Sequence, residues 1–499
     1  MRAKILLIKN IIPVILLFSF PYLMEAQQLP AFPGAEGFGR NATGGRGGKV
    51  YHVNTLEDGD FQGTLRYAIQ QAGPRTVVFD VAGTIFLNSN LSIGNGDLTL
   101  AGQTAPGEGV CIARYPVSIN ADNVIIRYLR FRVGNEGGGE PDGLGGTKNK
   151  NVIIDHCSIS WSVDECCTLY GGENLTVQWC MISESLRDAG HVKGKHGYGS
   201  ICGGDKSSFH HNLMAHHDSR MPRLGPHTST QEREYVDMRN NVFYNWSGNG
   251  CYGGEGMNVN IVNNYYKPGP ATPKNNRVSY RIAAINIRTK EYCTRPDGTP
   301  NGWKVMEHVW GKFFVDGNFV EGNEEVTKDN WTKGMYEQID NHANDYTFTE
   351  QVKKDMRLDA PLETGIVTTH TAEEAYKLVV QYAGCSKQRD IIDKRIAEET
   401  LNGTYTYYGS VSKDAKLKPG LIDVPADVKP AGAASPWPEL SAGNIAPELL
   451  VDSDNDGIPD VWEIKHHLNP NNAADGTAVT LSEEGYTNLE VYINSLVQK

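Results

Sequence analysis

The sequence predicts an all-β chain wound as a parallel β-helix, a solenoid of stacked coils, and three observations carry that expectation. Short apolar runs recur as variants of one unit: DNVIIRYLRF from Asp122, KNVIIDHCSI from Lys150, ENLTVQWCMI from Glu173, YVDMRNNVFY from Tyr235 and MNVNIVNNYY from Met257. Their spacing repeats, since Asn151 to Asn174, Cys157 to Cys180 and Asn241 to Asn264 are each 23 residues, and a fixed period of this kind marks a solenoid. The units are rich in β-branched and aromatic residues, alternate apolar with polar, and are separated by Gly, Asn and Asp, as strands and turns are. Each coil then buries its inner face only by stacking on its neighbours. The longer spacings Asn123 to Asn151 (28) and Asn212 to Asn241 (29) put extra residues in loops, which in a solenoid gather on one face and carry the site.

The elements follow in order. Residues 1–26 hold Arg2, Lys4 and Lys9, the apolar run IIPVILLFSF and then MEA, which reads as a secretory signal cleaved after Ala26. The run is too short and too Pro-broken to span a membrane, so an extracytoplasmic protein with no membrane span is expected. After a Gly-rich stretch, GTLRYAIQQAG from Gly63 has helical spacing, with Leu65, Ala68 and Ile69 on one side; a short helix there would cap the open solenoid end. Coils are expected from about Thr76 to about Asn323, with FFVDGNFVEGN at Phe313 among the last, giving a β-helix domain over 27–323. Residues 324–422 are richer in charge and partly helical in pattern, as in AEEAYKLVVQYAG from Ala372, and are expected as an extension packed on the solenoid. A Pro- and Ala-rich linker over 423–447 and a small acidic tail over 448–499 complete the chain.

Composition narrows the class. With 54 Gly in 499 residues and 21% charged residues, the chain reads as soluble and turn-rich. A net charge of −12 argues against nucleic acid as a substrate. After cleavage about 470 residues remain, enough for one solenoid with appendages, and a monomer is expected. The nine cysteines form an odd set without a CxxC pair, which argues against zinc. Cys157 and Cys180 stack in successive coils, either as buried small hydrophobes or within disulfides. The histidines His156, His210, His211, His216 and His217 read as ladder or loop packing.

Between Glu140 and Arg223, acidic residues recur about one repeat apart and lead into basic ones ending in RMPR. That order implies a metal held by carboxylates beside a cationic catalytic edge. Glu140 and Asp142 are two apart, so an extended segment projects both to one face. Asp164 follows Asp142 by 22 residues, close to one coil. A set of carboxylates alone suits calcium. The basic side comprises Arg220 and Arg223, with Lys193 and Lys195 offered by HVKGKHGYG.

Three longer motifs, AFPGAEGFGRNATGGRGGKVYHVNTLEDGDFQGTLRYAI, VIIDHCSISW and HHNLMAHHDSRMPRLG, make roughly residues 31–270 resemble the pectate lyases of polysaccharide lyase family 1. The resemblance implies a right-handed parallel β-helix, calcium-dependent β-elimination of polygalacturonate to 4,5-unsaturated oligogalacturonides, and an acidic plant cell-wall polysaccharide, homogalacturonan, as partner. Its calcium pattern carries over onto Glu140, Asp142 and Asp164; at the fourth acidic position stands Thr168, which implies weaker calcium binding without substrate unless Glu165 or Asp188 compensates. The catalytic arginine carries over onto Arg220 and the supporting lysine onto Lys195. The family's second arginine falls on Gly225, so Arg223, with Lys193, is expected to take substrate carboxylates. Guanidinium groups titrate above pH 12, so an arginine base implies an alkaline optimum. The alternatives are a pectin lyase acting on methyl-esterified polymer, a β-helical polygalacturonase hydrolysing it through paired carboxylates, and a non-catalytic glycan binder.

A second motif lies in the tail. DSDNDGIPDVWE matches the calcium loop D-x-D-x-D-G-x5-E, with Asp452, Asp454, Asp456, Asp460 and Glu463 as ligands and Gly457 at the sharp turn. A small calcium-stabilised helical module with a structural role is expected there.

Overall fold

The computed structural model describes residues 28–338, 346–412 and 418–497; the expected signal, residues 1–26, lies outside them. The chain winds into three parallel sheets, as the repeat predicts. The first has ten strands, from Lys49–Val53 to Lys312–Asp316; the second and third have nine each, from Gly83–Phe86 to Phe319–Val320 and from Leu91–Ile93 to Met335–Glu337. Each strand pairs with its counterpart one coil away, so Val152 aligns with Val124 on one side and Leu175 on the other. That register stacks Val124, Val152 and Leu175 beside Ile126, Ile154 and Val177 in one core. The alternate residues Ile125 and Ile153 face outward and are covered by Ala31, Phe32, Ala35 and Ala42 of the N-terminal arm.

The corner between the first and second sheets explains why the units end as they do. Tyr128, His156, Trp179, His211, Asn240 and Asn263 all have φ of 50–54°, a left-handed conformation that turns the chain in a single residue and that asparagine and histidine tolerate better than most. The residue after each corner points inward, and from Asn212 onward it is asparagine. The Asn212 Nδ2 donates to Asn241 Oδ1 at 3.0 Å, Asn241 to Asn264 at 3.0 Å, Asn264 to Asn318 at 2.9 Å and Asn318 to Asn330 at 3.0 Å. Cys157 and Cys180 occupy the equivalent place in the preceding coils, and all nine cysteines are buried.

Three features depart from the sequence reading. The coils begin at Lys49–Val53, whose register pairs Lys49 with Arg75, rather than near Thr76; this strand was masked by the Gly-rich stretch around it and by the helix Leu65–Gln70 inserted after it. Buried Arg75 closes that helix by donating to the carbonyls of Ala68 and Ile69. The coils also end later than Asn323, because Met335–Glu337 pairs with Ala283–Ile285. Finally, segment 423–447 is not a free tether: Trp437 is buried, packs edge-on against Trp161 and Phe86, and donates its indole N–H to Arg132 O at 3.0 Å. Pro and Ala remove regular structure but do not prevent a tryptophan from finding the core.

Helices Ala372–Tyr382 and Ile391–Asn402 lie against the second sheet, with Val379, Ile392 and Ile396 packed on Met181, Leu213 and Val242. Buried ion pairs add direction to this contact. Arg132 meets Asp390 at 2.8 Å and Asp393 at 2.9 Å, Arg395 meets Glu184 at 2.8 Å, and His216 meets Glu399 at 3.0 Å. No helix among the described residues is long and apolar enough to cross a membrane.

Candidate active site

The third sheet positions the acidic and basic residues. Its strands Leu144–Thr147, Glu165–Tyr170, Tyr198–Cys202 and Arg223–Leu224 are consecutive neighbours, and Gly145, Thr168, Ile201 and Arg223 align across them. Asp142 lies just before the first of these strands, and Asp164 and Glu165 open the second. Arg220 follows Ser219, which bridges to Tyr198. Four successive coils therefore deliver their side chains to one place, a cleft of about 630 Å³ lined by Glu140, Asp142, Asp164, Glu165, Lys193 and Arg220 among others.

Within it, one carboxylate oxygen from each of Asp142, Asp164 and Glu165 lies within 4.8 Å of the others. Burial, with the negative charge of Asp164, pushes the Asp142 carboxyl up to about 7, against the nearby Thr168 hydroxyl and the charge of Arg220. Asp164 Oδ1 is buried without a hydrogen-bond partner. Three carboxylates converging in this way offer the oxygen ligands that a hard divalent cation takes. Arg220 has a left-handed backbone (φ 58°) and stacks its guanidinium over the Tyr198 ring, 4.1 Å from the centroid, while its Nη1 contacts Glu165.

No protein-family model matches the chain. Relatives match over nearly its whole length: it is 33% identical to a probable pectate lyase C of Aspergillus flavus over 478 residues, covering 94% of each chain. It is 32% identical to that of Emericella nidulans over 485 residues, covering 97% of this chain and 96% of the relative. The chain belongs to the pectate lyase family. Among solved structures, a pectate lyase of Bacillus subtilis aligns at 13% identity over 73% of this lyase and 99% of its own chain, with a TM-score of 0.46. The cedar pollen allergen jun a 1 aligns at 18% identity over 70% and 92%, with a TM-score of 0.43.

Not every residue singled out from the lyase sequence enters the cleft. Glu140 lines it but leans away from the carboxylate cluster, accepting from Val192 N at 3.0 Å and meeting His191 Nδ1 at 3.2 Å. Lys193 lines the cleft, whereas exposed Lys195 does not, because the loop turns between them at Gly194 (φ 89°). Arg223 stands one coil beyond Ile201 and turns to Glu255 at 2.9 Å, which Arg288 also approaches at 3.6 Å. Asp188 lies outside both the cleft and the cluster, whereas Glu165 belongs to both. Two residues went unnoticed in the sequence. His191 and His196 stack at 3.4 Å and each brings a ring nitrogen to Asp164, at 3.6 and 3.9 Å; their five-residue separation within HVKGKHGYG was the available signal.

The tail motif folds as a second acidic cluster. One oxygen each from Asp452, Asp454 and Asp456 lie within 4.8 Å of one another, as do one each from Asp456, Glu463 and Asp475. Asp460 does not join them: its carboxylate accepts from Ser453 N at 2.8 Å and Ser453 Oγ at 2.6 Å, tying the loop closed. Asp475 lies outside the motif and was missed for that reason.

Proposed function

We propose that the lyase cleaves polygalacturonate by calcium-dependent β-elimination, outside the cytoplasm. The observation that supports it most is the meeting of Asp142, Asp164 and Glu165 with Arg220 in one cleft of a chain in this family. Asp142 and Asp164, with Glu165 and Glu140 at the margin, would hold the calcium. When bound, calcium neutralises the uronate carboxylate and stabilises the negative charge that develops beside C5.

Arg220 is the base in this reading. The small deprotonated fraction of its guanidine, larger at alkaline pH, takes the C5 proton on nitrogen, the electron pair forms the C4–C5 double bond, the C4–O glycosidic bond breaks, and the leaving oxygen takes a proton from water. Tyr198 fixes the guanidinium plane by stacking, a positioning role. Lys193, from the loop over the cleft, pairs with substrate carboxylates, and Arg223, one coil further along the same face, serves the next uronate. Lys195 supports the cationic edge from outside the cleft.

Ultraviolet absorbance of unsaturated product from polygalacturonate at alkaline pH tests this directly. The expected signal requires calcium, vanishes with chelator and is absent from Arg220→Ala. Reducing ends that rise without absorbance would instead identify a hydrolase, and a preference for methyl-esterified polymer without calcium would identify a pectin lyase.

A further inference from the structure

We propose that the C-terminal loop binds a calcium ion that fastens the terminal module to the first coils of the solenoid, with Asp475 as a ligand supplied from outside the loop motif. The inference is independent of the chemistry in the cleft.

The ligand chemistry is legible in how each carboxylate is used. Asp452 accepts from the backbone N–H of Asn455 and of Gly457, both at 2.8 Å. Asp454 and Asp456 each give one oxygen to the loop backbone, at Asp456 N (3.3 Å) and Ile458 N (2.8 Å). The other oxygens of Asp454 and Asp456, both oxygens of Glu463 and one of Asp475 are buried with no hydrogen-bond partner. Glu463 is 0% exposed and Asp456 4%. Among the described residues no Lys, Arg or His pairs with Asp454, Asp456, Glu463 or Asp475. Converging, uncompensated carboxylates are costly to bury, and an all-oxygen set matches the demand of calcium for six to eight hard ligands. The motif alone supplies the first half of this arrangement; Asp475 closes the side facing Asp456 and Glu463.

The same loop is seated on the beginning of the solenoid. Gly457 (φ 92°) approaches the first two strands so closely that a Cβ there would meet Val50 at 3.1 Å and Val78 at 3.4 Å. Ile458 packs with Leu489, Tyr492, Ile493 and the solenoid's Ala101. Asp452 faces His52 of the first strand at 3.4 Å, Glu490 pairs with Arg46 at 2.7 Å, and Asn494 accepts from Arg127 at 2.8 Å. A cation that holds the loop shape therefore also holds the surface that covers these coils.

The test uses the full chain carrying Asp142→Asn, which removes uptake by the cleft, and calcium chloride alone as the probe. Calorimetric titration is expected to show one calcium per chain, and hydrogen exchange in Lys49–Val53 to slow about tenfold on its addition. Glu463→Gln in the same background abolishes both effects, and Asp475→Asn weakens binding about tenfold or more, in line with loss of one charged ligand. Absence of calcium uptake by the Asp142→Asn chain would overturn the site. A titration by Asp475→Asn identical to its parent would remove Asp475 from it, and uptake without slower exchange would overturn the fastening. Should Glu463→Gln fail to fold, comparison of the Asp142→Asn chain with and without calcium decides by itself.

Discussion

Arg220 and Thr168 are the two residues whose replacement most sharply separates the parts of the proposed reaction. Arg220→Lys keeps a positive charge but loses the planar group stacked on Tyr198; a lysine is a flexible point charge and does not reproduce that placement. The expected outcome is a kcat lower by about 10²- to 10⁴-fold, the range for loss of a general base, with melting temperature unchanged. Thr168 is buried at the wall of the cleft, its hydroxyl without a hydrogen-bond partner. Thr168→Asp exchanges that hydroxyl for a fourth negative charge, so half-maximal activity is expected at lower calcium, while the variant melts earlier than wild type in chelator. If both half-saturation and melting stayed at wild-type values, Thr168 would have no part in the cluster. At this scale the sequence was informative where function needs a charge, as at Asp142, Asp164 and Arg220. It was uninformative where three-dimensional proximity alone recruits a residue, as at Asp475, which lies outside the loop motif.

At the scale of elements, the corner and its asparagine ladder define each coil. Asn264 both accepts from Asn241 and donates to Asn318 and to Met238 O, fully buried. Asn264→Ala leaves those buried groups unpaired, at about 1–3 kcal/mol for an unsatisfied donor or acceptor, and is expected to lower the denaturation midpoint without altering product composition. An unchanged midpoint would mean that the ladder is ornament. The strands were visible in the sequence, because alternation and the recurrent 23-residue spacing are local signals; the asparagine ladder emerges only in the fold. The first coil and the buried segment around Trp437 were not: Lys49–Val53 gains its meaning from pairing with Arg75–Phe79, and Trp437 from Trp161 and Arg132, some 270 to 300 residues away in the chain.

For the whole molecule, buried histidines make stability depend on pH. Burial holds His210 at about 3, His211 at about 2 and His217 at about 3, with neighbouring positive groups adding to the first two. Unfolded histidines take up protons below about 6.5 while these three do not. Their contribution is therefore complete above pH 6.5 and is lost as pH falls from there toward 3, by about 1.4 kcal/mol per pH unit for each. Glu399, which burial opposes but His216 and Arg395 hold down at about 2, adds a loss between about 4.5 and 2. Denaturant unfolding at pH 7.5 and pH 5 is expected to show markedly lower stability at pH 5; equal values would mean that the three rings are protonated in the fold. Stability and the proposed alkaline activity thus favour the same side of neutrality. The ladder carries a last implication for how such a chain can change in length. Asn264 and Asn318 are 54 residues apart yet hydrogen-bonded neighbours, so an insertion that leaves the corners in phase does not interrupt the stack. Whole coils are accordingly the unit of gain or loss, and a groove along the third sheet would lengthen in steps of about 4.8 Å, the distance between paired strands, letting evolution add room for sugar rings without redrawing the chemistry beside Arg220.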